Sequence, residues 1–179
     1  MEKATPYSNL KIFSHAQALT DIGEGKRISP IYIRIKPTNY CNHKCYYCSY
    51  ADNELGLRDS VNRQDQIPWE KMQEIIEDIT DMGVKAVTFS GGGEPLVYPY
   101  IVKTMQMVLD AGIDLSIITN GHLLKAERAE ALASAKWVRI SLDSANPETY
   151  ARARQLPLEA FKEVCSVKSA IDMSVFSTR

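Results

Sequence analysis

The sequence predicts an α/β protein built on a parallel sheet. Three observations carry that expectation. Short, mainly apolar segments recur four times between Ile31 and Leu142. Each is followed by a polar loop, and each loop leads into a segment with helical apolar spacing, often bounded by a glycine or a capping residue. Strands that alternate with amphipathic helices in this way form successive parallel βα units.

The first such segment is "IYIRI" (31–35), in which β-branched apolar residues alternate with polar ones, the period of a strand. A long polar stretch follows, and then "PWEKMQEIIEDITDMG", a helix with Pro68 suited to its first turn and Gly83 to the position just past its end. The second unit is the strand "AVTF" (86–89), the loop "SGGGEP", and a helix through "YIVKTMQMVLDAG" closed by Gly112. The third is "LSII" (115–118), "TNGH", and the helix "LLKAERAEALAS". The fourth is "WVRISL" (137–142) and "DSANPETYARAR", where Asn146–Pro147 marks a helix start. "LEAFKEVCS" extends this unit with more helix, and "DMSVFSTR" reads as the stub of a fifth strand. Residues 1–30 form a helical lead-in around "NLKIFSHAQALTDIG", and residues 31–179 form the core. No internal repeat or low-complexity tract interrupts the pattern.

Composition narrows the function classes. The 179 residues are 45% hydrophobic and 24% charged, an ordinary globular balance, with 21 basic residues against 22 acidic ones. No global basic field points to nucleic acid. No apolar run is long enough to span a bilayer, and "MEKATPYSNLKIF" carries acid and proline where a signal peptide needs a basic and then an apolar stretch. The expected location is the cytoplasm. Its reducing environment argues against a disulfide framework among the 4 cysteines. Cys165, within "FKEVCSV", is expected as a buried small hydrophobe on a helix.

In a parallel α/β sheet the loops leaving the C-terminal strand ends open on one rim, where ligands bind. The cysteine loop, "SGGGEP", "TNGH" and "LDS" each leave a successive strand, so they share that rim. "CNHKCYYC" places Cys41, Cys45 and Cys48 close enough to hold one metal or cluster. For zinc, His43 is the candidate fourth ligand, but it stands two residues from each flanking cysteine and no second cysteine pair exists. A [4Fe–4S] cluster held by three thiolates would leave one iron open to a small ligand with paired amine and carboxylate groups. "SGGGEP" suits such a ligand, because glycines let backbone approach closely and Glu94 can accept from an ammonium. A tight turn capping the next helix is the alternative reading of the same residues.

The cysteine motif with Tyr47 before its last cysteine, followed by "GGGEP" after the second strand, resembles the radical S-adenosylmethionine (radical SAM) superfamily over residues 30 to 155. The resemblance implies a partial parallel (β/α) barrel with six units, a [4Fe–4S] cluster, and SAM bound to its open iron. It also implies an electron donor such as flavodoxin or ferredoxin, reductive cleavage of SAM to a 5′-deoxyadenosyl radical, and hydrogen abstraction from an unknown substrate. Matched by position, it assigns Cys41, Cys45 and Cys48 to the cluster, Tyr47 to the adenine, and Gly92, Gly93 and Glu94 to the methionine amine. Thr119, Asn120, Ser141 and Asp143 fall where the family often places polar contacts to SAM or substrate. Read without the family, Asn120–Gly121 is a turn, and Asp143 or Ser144 a helix cap. His122 is expected on a solvent-exposed loop, Arg152 and Arg154 either beside the SAM carboxylate or on a solvated helix face, and "DNELGLRDSVNRQDQ" (52–66) as a cover for the site or a surface excursion. Four to five of the six units are expected, so an open sheet edge at the fourth or fifth strand would call for a second copy or a partner. The alternative function is a non-catalytic shortened paralogue that keeps the cluster as a redox or structural module.

Overall fold

A computed structural model, which describes residues 13–50, 59 and 61–167, brings the four predicted strands into one sheet. They are β1 (Tyr32–Ile35), β2 (Ala86–Phe89), β3 (Asp114–Thr119) and β4 (Trp137–Ile140). All pairings are parallel and the spatial order is the chain order, β1–β2–β3–β4. Register puts Ile35 beside Phe89, Phe89 beside Ile117, and Ile117 beside Val138. Because side chains alternate along a strand, these four form one apolar row, with Ile33, Val87 and Leu115 in the row before it. On the opposite face Arg34, Thr88, Ser116 and Trp137 form one row, after a row of Tyr32, Ala86 and Asp114. The sheet therefore has one apolar face for the core and one face of mixed polar, charged and aromatic residues.

The helices supply the other half of that core. In α2 (Trp69–Asp81) the buried residues are Met72, Ile76 and Ile79, a stripe at helical spacing. Pro68 takes the capping position just ahead of the helix, and Gly83 turns the chain away with a φ of +73°. In α3 (Ile101–Asp110) the stripe is Ile101, Met105 and Val108, and these pack into the cluster that contains Val87, Phe89, Leu115 and Ile117. A short 3-10 turn, Pro95–Val97, links β2 to α3.

The helix expected over "LLKAERAEALAS" is shorter than its composition suggests. Only α4 (Glu127–Ala131) is helical, because Ala126 adopts a φ of +46° that no helix continues through. After β4, Asn146 caps α5 (Pro147–Arg154) by accepting from the Thr149 amide at 2.9 Å, with Pro147 in the first turn as expected. The chain leaves α5 through Gln155 at a φ of +53°. It then enters α6 (Glu159–Val167), whose buried residues are Ala160, Val164 and Val167. Cys165 falls between those buried positions and is exposed, which corrects the expectation of a buried thiol. The lead-in carries a helix, α1 (Ala16–Gly23), and the chain divides into compact units Met1–Pro30 and Ile31–Arg179. The stub of a fifth strand in "DMSVFSTR" lies outside the described residues.

Past β1 the chain runs beside residues 62–67 before it reaches the cysteines. Thr38 bridges Gln66 in antiparallel fashion, and the Pro37 carbonyl accepts from the Ile67 amide at 2.9 Å. It then crosses the glycines that leave β2. The Thr38 carbonyl accepts from the Gly93 amide at 3.2 Å and the Tyr40 carbonyl from the Glu94 amide at 2.9 Å. A Cβ on Gly93 would lie 1.9 Å from the Tyr40 carbonyl oxygen, so only glycine lets the two segments meet.

Two contrasts test this packing by stability. Gly93→Ala should lose at least about 1–3 kcal/mol in urea unfolding, the cost of forcing extra volume into packed backbone. Gly23→Ala, with nothing within 4 Å, should stay within about 1 kcal/mol of the parent. Ile117→Ala, at a position with 0% exposure, should lose about 2–5 kcal/mol and Ile117→Val only about 0.5–1.5.

Candidate cofactor site

A cavity of about 370 Å³ lies where the cysteine loop and the C-terminal ends of the strands meet. Cys41, Cys45, Tyr47 and Cys48 line it from the loop after β1, Gly92, Gly93 and Glu94 from the loop after β2, and Asn120 and Ser141 from the ends of β3 and β4. Nine sequence-expected residues, separated by up to a hundred positions in the chain, thus face one space. Asp143 is not among the lining residues. It accepts from the Tyr47 hydroxyl and from Arg154 Nε at 3.0 Å.

Glu94 is buried, at 3% exposure, and both of its oxygens are engaged inside the protein. Oε1 accepts from the Leu96 amide at 3.0 Å and the Thr119 hydroxyl at 2.5 Å, while Oε2 accepts from the Asn120 amide at 2.7 Å. Burial pushes its carboxyl up from the ordinary carboxylate range, and these three donors pull the other way. The side chain therefore ties the loop after β2 to the end of β3. Asn120 has two tasks. Its Oδ1 accepts from the His122 amide at 3.0 Å, the turn that the dipeptide Asn120–Gly121 predicts. Its Nδ2 donates to Asn42 Oδ1 at 2.8 Å, inside the cysteine loop.

The cysteine loop has little regular structure and borrows partners from α5. The Lys44 amide donates to the Arg154 carbonyl at 3.3 Å and the Tyr46 amide to the Ala153 carbonyl at 3.2 Å. Arg154 itself is buried, at 4% exposure. Its guanidinium donates to Asp143 Oδ1, to the Ser141 carbonyl, and at 3.3 Å to His43 Nδ1. Its Cζ sits 5.1 Å from the centre of the Tyr150 ring. His43 is buried as well, and its pKa is pushed down to about 4, first by burial and then by the Arg154 charge. It is a neutral imidazole at pH 7 that accepts from arginine.

These contacts settle several sequence expectations. Arg154 does not lie on a solvated helix face, although Arg152 on the same helix is exposed. His122 is half-buried, with its ring edge-to-face on His43 at 5.5 Å and its Nε2 3.7 Å from Glu163. Of the loop 52–66, residues 52–58 and 60 lie outside the described residues, while Val61 and Arg63 line the cavity. Sequence reasoning missed Asn39 and Asn42. It also left Arg154 undecided, although the four-residue spacing from Tyr150 puts the two on one helix face.

The donor set is three thiols of one loop that line the same cavity, the side chains that would take a cluster with one open iron. Burial pushes the Cys41 and Cys45 thiols up, and the Arg154 charge pulls Cys45 back down. Ligation would replace their protons. Cys41, Cys45 and Cys48 are the residues that could hold such a group. Among the described residues no helix is long and apolar enough to cross a membrane.

Comparison with known proteins agrees with this geometry. A model of the radical SAM superfamily matches residues 35–176. The probable GTP 3′,8-cyclase of Methanocaldococcus jannaschii is 35% identical over 146 residues, covering 80% of this chain and 46% of that protein. The GTP 3′,8-cyclase of Alkaliphilus oremlandii is 38% identical over 123 residues, covering 66% and 37%. The chain thus spans less than half the length of these curated relatives. Streptococcus suis SuiB bound to S-adenosylmethionine shares the fold, with a TM-score of 0.63 at 21% identity over 93% of this chain and 39% of that one. Methylornithine synthase does so with a TM-score of 0.53 at 18% identity, over 89% of this chain and 47% of that one. With residues 35–176 matched and its three-cysteine loop on the rim of a parallel βα sheet, the chain belongs to the radical SAM superfamily, which implies a [4Fe–4S] cluster and SAM as its cofactors.

Proposed function

We propose that this chain is the catalytic core of a radical SAM enzyme in which Cys41, Cys45 and Cys48 hold the cluster. In this reading Tyr47, Gly92, Gly93, Glu94, Asn120, Ser141 and Asp143 shape the SAM site. One observation carries it: residues from four separate strand ends, matched to the family one by one, line a single cavity. At about 370 Å³ its volume falls within the ~300–1,000 Å³ typical of small-molecule sites. The bound cofactors supply reductive cleavage of SAM and, through it, hydrogen abstraction from a substrate.

The protein's own part is positioning. With both oxygens committed to Leu96, Thr119 and Asn120, Glu94 acts by fixing the backbone of the glycine run and of β3 at the cavity wall. Tyr47 offers an aromatic face whose hydroxyl is anchored on Asp143, so the ring is oriented before a flat base arrives. Ser141 brings the end of β4 to the cavity, and its amide is tied to the Thr119 carbonyl at 2.8 Å.

For the substrate, the similarity to GTP 3′,8-cyclases supports a purine nucleotide, and GTP is the compound to test. The electron would come from a small low-potential carrier such as flavodoxin or ferredoxin. A cytoplasmic location would keep the three thiols reduced.

The test is anaerobic reconstitution with iron and sulfide. The parent should take up about four irons per chain and release 5′-deoxyadenosine and methionine when reduced with SAM. Cys41→Ala, Cys45→Ala and Cys48→Ala should each abolish that release, while Cys165→Ala leaves it unchanged. Uptake of one zinc and no iron would refute the reading, and a stable cluster without SAM cleavage would establish the non-catalytic module instead. With deuterated GTP present, label should appear in the 5′-deoxyadenosine. Cleavage without transfer of label would exclude GTP.

A further inference from the structure

The last turn of a helix has carbonyl groups with no donor inside the helix, and it carries the negative end of the helix dipole. At the end of α5 the carbonyl of Ala151 is capped from within, by the Gln155 amide and the Leu156 amide at 3.0 Å. Those of Ala153 and Arg154 are capped from outside, by the Tyr46 and Lys44 amides of the cysteine loop. These two donors flank Cys45. The Arg154 side chain reaches the same loop a third time, through His43, and a fourth time through Asp143, which holds the Tyr47 hydroxyl. Three of the five consecutive residues His43–Tyr47 are thus bound directly to this helix end or to its arginine, a fourth, Tyr47, is bound through Asp143, and the one left over is Cys45.

The charges fit the same purpose. A cluster held by three thiolates is anionic, and a bare helix C-terminus beside it would repel it. Arg154 places a buried cation at that spot, lining the same cavity as the three thiols, and its ion pair with Asp143 at 3.0 Å offsets part of that charge. Its guanidinium is committed to Asp143, the Ser141 carbonyl and His43. That commitment suits a fixed part of the scaffold, whereas the sequence alone had left a SAM carboxylate as one partner for this arginine.

We infer that the C-terminal end of α5 is the seat of the cysteine loop and that Arg154 is its positioning residue, which fixes the backbone on either side of Cys45 and sets a buried positive charge beside the cluster. The charge part rests on the cluster reading above, and the backbone part does not. Reduction adds one electron to the cluster, so a fixed cation beside it favours the reduced form and raises the midpoint potential. A lysine in its place would keep the charge and lose the three-way fork.

Amide hydrogen exchange on the cluster-free parent tests the backbone part without any cofactor. The Lys44 and Tyr46 amides should be protected, and Arg154→Gln should speed their exchange by about tenfold or more, while Arg152→Gln on the exposed face of the same helix leaves it unchanged. Unprotected amides in the parent, or equal protection in Arg154→Gln, would overturn the inference even if no cluster can be assembled. In the reconstituted protein, redox titration followed by electron paramagnetic resonance reads the charge part. Arg154→Gln should lower the midpoint potential, and Arg154→Lys should restore the potential without restoring the protection. A potential in Arg154→Gln equal to the parent's would show that the cation does not act on the cluster and would overturn that part.

Discussion

A loop with no ladder of its own must find partners elsewhere for its amides and carbonyls, since buried backbone groups left unpaired are costly. The cysteine loop and its approach find them on residues 62–67 and on three rim neighbours, one of which holds the loop through a side chain. The carbonyls of Thr38 and Tyr40, on its approach, accept from the glycine run after β2. Asn42 accepts from Asn120 at the end of β3. The amides of Lys44 and Tyr46 donate to the end of α5. Each of these three stands on the C-terminal rim, so the geometry of three thiols is inherited from the register of a four-stranded parallel sheet. Shifting one strand would move one anchor away from the other two.

The glycines show how tight that inheritance is. A ligand-binding loop needs glycine where backbone must approach a ligand, yet here the space beside Gly93 is filled by the chain itself, with the Tyr40 carbonyl 1.9 Å from where a Cβ would stand. A Cβ on Gly92 would meet Asn39 Oδ1 at 2.9 Å. The "SGGGEP" motif therefore does structural work before it does any binding, by letting two rim loops lie in contact. Glu94 completes that work by accepting two hydrogen bonds that lock the loop to the end of β3 and a third from the Leu96 amide of its own segment.

Electrostatics within the rim are arranged around two buried titratable side chains, Glu94 and Arg154, and a buried imidazole. Glu94 and Arg154 are each buried below 5% exposure and each is surrounded by partners of the opposite hydrogen-bonding sense. His43, pressed between Arg154 and the His122 ring, is held neutral and so adds no second cation beside the thiols. Buried polar groups are tolerated where neighbours satisfy them, and both side chains are satisfied by groups that also fix the loops.

The amino-acid sequence by itself determined the strand and helix pattern, because periods of 2 and 3.6 residues are local properties. It also determined that Cys41, Cys45 and Cys48 share a loop and that this loop shares a rim with "SGGGEP", since parallel βα connectivity leaves few alternatives. It failed where the outcome depends on who the neighbour is. Cys165 looked like core in a helix whose buried stripe, once packed, ran through Ala160, Val164 and Val167. "LLKAERAEALAS" looked like a long helix until the chain turned at Ala126. Arg154 resembled any arginine at the end of a polar helix. Only the tertiary structure decided its role, because the carbonyl, carboxylate and imidazole that claim it come from segments up to 111 residues away, and no local pattern in a chain records which distant groups a fold will bring within hydrogen-bond reach of one another.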